Sequence, residues 1–142
     1  MNAQVVARIL GVVFLLAGIG GFLPWIAPDA PLDARVVTWD SYYRLLFGLF
    51  PVNLGHDAIH LLFGIFGLMA GGSFRGAVWY CRAVTWIYLF LVIFGIIPIL
   101  NTVMGIAPVY GWDVLLHFVI ALVAAYAGYG RGSIKAEETQ PA

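Results

Sequence analysis

Three histidines and an aspartate are the side chains of this sequence best placed to do chemistry together. His56 and His60 stand four residues apart, and Asp113 and His117 repeat that step. On an α-helix a step of four returns to the same face one turn on, so each pair lies along one stripe. The first stripe continues through Gly64, Gly67 and Gly71, and the second through Ala121, Ala124 and Gly128. Each stripe thus has a polar end and a small-residue half. Small residues let helices approach closely in lipid, so both stripes face protein and turn their histidines inward. Asp57 lies about 100° round the helix from His56 and points elsewhere.

Four chemistries fit such a stripe. The plainest is polar glue, in which His and Asp hydrogen-bond across helices for about 0.6 kcal/mol each and fix register. The second is a metal site on His56, His60, Asp113 and His117, whose imidazoles and carboxylate suit zinc or iron. The third is a b-type haem held between His60 and His117, with Gly64 and Ala121 leaving room for a flat macrocycle one turn further in. The fourth, proton or solute movement along an Asp/His chain, ranks lowest, because the inner half offers Gly, Ala, Leu and Phe and no onward relay. The sequence predicts His60 and His117 facing each other, with His56 opposite Asp113 one turn nearer the outside.

The elements that position these residues are membrane helices. Of 142 residues 63% are apolar and 10% charged, where a soluble domain carries about 25% charge. Mean hydropathy is +0.97. Seven basic and seven acidic side chains cannot cover a soluble domain of this size, which excludes a soluble enzyme, a disordered chain and a nucleic-acid binder. Formal net charge is zero. Four apolar stretches, about 8–26, 53–72, 80–100 and 110–130, each suffice for a bilayer core. They are too long, and too weakly alternating, for barrel strands. The expected fold is all-α, a four-helix transmembrane bundle. Pro28-Asp29-Ala30 is a poor cleavage signal, so the first helix is expected to be retained. With the N-terminus inside, Arg8, Arg75, Arg82, Arg131 and Lys135 lie on the cytoplasmic side and only Arg35 and Arg44 outside, which predicts both termini in the cytoplasm. Outer loop 27–52 carries Trp39, Tyr42 and Tyr43 as an interfacial belt. It also carries a predicted short surface helix over Asp40–Phe50, capped by Thr38 or Asp40 and ended by Pro51. The tail 132–142 is polar and expected to be disordered.

Two shifts of the chain reveal a repeat. At 57 residues, Gly48, Pro51, Val52, His60, Ala70 and Gly71 meet identical residues in 105–128; at 74, Arg8, Leu15, Ile19, Gly21 and Pro24 meet identical residues in 82–98. The chain thus reads as two repeated helical hairpins, related by a rotation near 180° about the membrane normal. The remaining residues have plain explanations: Arg8 and Arg82 snorkel at inner helix ends, Pro24 and Pro98 mark outer ends, Asn101 turns the third loop, and Trp86, Tyr88 and Tyr126 are packing or lipid-facing aromatics. Cys81 has no second cysteine to bond.

The run GLFPVNLGHDAIHLLFGIFGLMAG at 48–71, with ARILGVVFLLAGIGGF near the N-terminus and GWDVLLHF later, resembles a family of small four-span bacterial membrane proteins of unknown function. The resemblance implies four spans and the bacterial cytoplasmic (inner) membrane, matches His56, His60 and His117, and implies no reaction. Likeness to quinone- or haem-associated four-span bundles is one of architecture alone. With no nucleotide motif or nucleophile constellation, the first expectation is a non-enzymatic accessory or assembly subunit of a larger membrane complex, its partners lipid and protein. The alternative is a metal- or haem-b-binding membrane protein.

Overall fold

The structure, a computed structural model, describes residues 2–31, 34–38 and 40–130. The calls on Asp33, Trp39, Arg131, Lys135 and the tail 132–142 lie outside the described residues. Four helices dominate: α1 (Ala3–Gly21), α2 (Leu54–Ala70), α3 (Phe74–Ile96) and α4 (Trp112–Tyr129). Three of them, α1, α3 and α4, are long and apolar enough to cross a membrane. At 17 residues α2 is equally apolar in character but shorter.

The helix starts are set by caps. Asn2 accepts from Gln4 N, Asn53 from His56 N and Ser73 from Gly76 N, each satisfying an amide that the first turn leaves free. Gly111, at φ +64, opens α4 without a side-chain cap. These caps begin α1 and α3 earlier than the apolar runs suggest. Arg8 and Arg82 therefore sit within helices rather than at their starts. Arg8 Nε donates to Gly71 O at 3.0 Å and Arg82 Nε to Gly128 O at 2.9 Å. Each arginine satisfies a carbonyl left open at the end of the neighbouring helix.

Helix α1 packs along α2, and α3 along α4, with α1 also against α3. The α1–α2 contact depends on glycine. A Cβ at Gly11 would stand 2.8 Å from Leu68 N and 2.9 Å from Gly64 O. The buried core comes from α1 (Val6, Leu10, Phe14), α3 (Val78, Cys81, Val84, Tyr88) and α4 (Ala121, Ala124, Ala127). Much of the opposite faces is apolar and exposed, including Leu16, Phe66, Trp86 and Leu122.

The helix expected over Asp40–Phe50 is absent. Two short strands, β1 (Arg44–Leu46) and β2 (Phe50–Val52), pair antiparallel with Leu46 opposite Phe50. Phe47 and Gly48 both take positive φ, at 55° and 71°, and turn the chain within three residues. Pro51 has no amide to donate to a helix, and the strand places it at a sheet edge that asks for none. Arg44 Nη1 donates to Phe22 O at 3.1 Å and fastens the hairpin to the end of α1.

Candidate functional site

Where α2 and α4 begin, the bundle brings His56, His60 and His117 into one buried cluster. Each offers a ligand atom within 4.8 Å of the others. They are 4%, 9% and 2% exposed. His60 is the seventh residue of α2 and His117 the sixth of α4, so the cluster lies about 8–10 Å inside the helix starts at 1.5 Å per residue. His56 does not stand one turn clear of the other two. Its ring centroid is 4.5 Å from that of His60 and 6.0 Å from that of His117, stacked on the latter.

Asp113 lies outside this set of three. Its Oδ2 is 3.2 Å from His117 Nδ1, one turn along the same helix. The contact is a close charge–imidazole approach without the alignment of a hydrogen bond. The sequence predicts Asp113 opposite His56 across the bundle; Asp113 is near His56 and also approaches His117 within α4, where the step of four aligns the side chains. With the carboxylate on the Nδ1 edge, Nε2 of His117 is the nitrogen left for the cluster.

His56 is held differently. The backbone carbonyls of Pro108 and Pro51 lie close to its ring, while Nδ1 has no partner among the described residues. His60 Nδ1 is likewise buried and unpartnered. Pro51 and Pro108 precede His60 and His117 by the same nine residues, and proline's fixed φ keeps each approach to a helix extended. Asn53 locks these segments together: its Oδ1 caps α2, and its Nδ2 donates to Ile106 O at 2.8 Å.

Two aromatic residues pack on the cluster. Phe14 lies parallel to His60 at 5.8 Å between centroids, and Tyr88 contacts both Phe14, at 5.4 Å, and His117, at 4.7 Å. Tyr88 is buried, unlike Trp86 and Tyr126. Sequence reading placed Tyr88 with general packing aromatics and passed over Phe14. The available signal was weak: each falls on the same helical face as small or apolar neighbours that supply the core. Asp57 points away, toward Gly21 at the end of α1. One turn further in, α1 packs against Gly64. A Cβ at Gly64 would lie 2.5 Å from Leu15 Cγ and 2.9 Å from Gly11 O, and Ala121 is buried.

Such an arrangement places three imidazoles close enough to share one small cation. The family model described as Domain of unknown function (DUF4383) matches residues 4–130. No curated protein and no solved structure matches the chain.

Proposed function

We propose, for a chain that belongs to the DUF4383 family of domains of unknown function, an integral membrane protein that holds one transition-metal ion, zinc or iron, on His56, His60 and His117. The observation that carries this reading is the convergence of three buried imidazoles with ligand atoms inside 4.8 Å. Two nitrogens on one ion, with bonds of about 2.0–2.1 Å, stand roughly 3.4 Å apart, so modest ring rotations close the set. Protein groups behind the rings favour the same reading. Metal-bound imidazoles usually offer their other nitrogen to a carbonyl or carboxylate, the kinds of partner found at His56 and His117. Asp113, 3% exposed, puts a carboxyl beside His117, the kind of group that offsets a cation in a low-dielectric site.

Polar glue accounts less well for the cluster, because glue uses its hydrogen-bonding atoms and here the buried Nδ1 atoms of His56 and His60 lack partners among the described residues. The accessory-subunit reading concerns the outer faces, whose large apolar side chains are the ones a bilayer also covers. The proposal includes four spans with α2 as the second, both termini cytoplasmic, and the bacterial inner membrane. It also includes descent from a repeated hairpin. Supporting the repeat, Arg8–Gly71 and Arg82–Gly128 are the same contact at paired positions. Gly21 likewise packs on Asp57, and Gly95 on the paired Val114.

Metal analysis of the purified full-length protein tests the reading, with His60→Gln and His117→Gln as controls. Glutamine can still hydrogen-bond but is a poor ligand. The wild type should carry about one equivalent of zinc or iron, and either variant should lose it while keeping its helical circular dichroism. A wild type free of metal after supplementation with both ions would sink the proposal.

A further inference from the structure

The three histidines and Tyr88 also line a cavity of about 70 Å³ whose other walls are apolar, including Phe63 of α2, Leu91 of α3 and Ala107 of the following loop. Ile59 of α2 and Ile87 of α3 belong to the same lining and are each 41% exposed, so the cavity reaches the surface between these two helices. If α2 and α3 cross the membrane as proposed, that surface is hydrocarbon. Water needs two to four polar partners, which only the histidine end of this space offers, whereas apolar cavities stay dry, and one of about 150 Å³ takes up benzene or xenon. About half that volume suits a molecule of two non-hydrogen atoms. Diatomic gases dissolve more readily in hydrocarbon than in water. At the inner end, His60 is nine-tenths buried with an unpartnered Nδ1. Three protein ligands leave a tetrahedral ion one open position.

We infer that this cavity conducts a diatomic gas from the lipid, between α2 and α3, to the open coordination position of the histidine-held ion. The inference rests on the metal reading for its end point and on the cavity alone for its route. It also selects between the metals, because ferrous iron coordinates such gases and zinc does not. The step is reversible coordination: a lone pair on the gas forms one bond to iron, and no group or proton is transferred.

Nitric oxide and xenon test the two parts separately on the full-length protein in detergent, loaded anaerobically with ferrous iron. Xenon reports the cavity whatever the metal does. Nitric oxide reports the iron, through the paramagnetic ferrous nitrosyl signal and its rate of appearance. Ala107→Leu fills the cavity, and Ile59→Trp covers its mouth should the first variant fold poorly. Xenon should bind the wild type and not Ala107→Leu. Nitric oxide should bind the wild type and associate roughly tenfold more slowly with either variant at unchanged iron content, since a filled passage opens only by local fluctuation. An unchanged rate in a folded variant, or an iron-loaded wild type that takes no xenon, overturns the route. A wild type that retains no iron overturns the metal reading and the end point with it, leaving the xenon result to decide the cavity.

Discussion

Each imidazole of the cluster is supported by a different kind of neighbour: His56 by two proline carbonyls, His117 by a carboxylate, His60 by the face of Phe14. The support of His117 is the easiest to probe. Asp113→Asn keeps shape and removes charge. If the carboxylate acts behind His117 rather than on the ion, metal affinity should fall about 10–100-fold with the capacity of one equivalent retained. Chelator competition reads both quantities. Unaltered affinity would remove Asp113 from the site, and loss of the equivalent itself would make it a direct ligand. At this scale the sequence was informative about types and spacing. The step of four put His56 with His60 and Asp113 with His117, and all four reach one region. What it lacked was angular information across helices. It could not tell that His56 would lie against both other rings, or that Phe14 and Tyr88 would close the cluster, because neither residue carries a mark distinguishing it from other core aromatics.

Between residues and molecule lie the elements, where local chemistry decided what apolar patterning did not. The four helices follow from long apolar runs, and their starts from Asn2, Asn53 and Ser73. The hairpin β1–β2 was missed because Leu46-Phe47-Gly48-Leu49 holds no Asn-Gly or Asp-Gly turn signature, and the same residues make a plausible surface helix. Its neighbour Tyr43 ties this segment to the start of α4 through a 2.6 Å hydroxyl pair with Tyr110. Burial, and next the bond to Tyr110, push the Tyr43 phenol above the ordinary tyrosine range. A group whose folded pKa is raised contributes stability that is fully present below its unfolded value, about 10 for tyrosine, and is lost as pH rises beyond it. The wild type should therefore lose more thermal stability between about pH 9 and 11 than Tyr43→Phe does. At neutral pH the variant should be less stable by about 1 kcal/mol, the usual worth of one such bond. Parallel pH profiles of apparent Tm in the two proteins would show neither effect if the hydroxyl pair does not form.

For the whole molecule, the open question of arrangement is how many times the chain crosses the bilayer, and α2 decides it. Its 17 residues rise about 26 Å, slightly under a typical hydrocarbon thickness of about 30 Å. The packing argues that it crosses. Close glycine contacts hold α2 along α1, and Arg8 bonds its last turn through Gly71 O. The basic residues sort by end in the same way. Arg8 and Arg82 reach the carbonyl ends of α2 and α4, whereas Arg44 bonds Phe22 O at the far end of α1. Reporter fusions separate the alternatives cleanly. With four crossings and a cytoplasmic N-terminus, fusions at Arg75 and at Ala142 both report the cytoplasm and one at Arg35 the outside. If α2 failed to cross, the turn between α2 and α3 would stay outside. The two later helices would then carry the chain in and out again, so Arg75 and Ala142 would both report the outer side. The basic bias of five against two favours the first outcome, and an external reporter at Arg75 would overturn the four-span arrangement and the repeat built on it together.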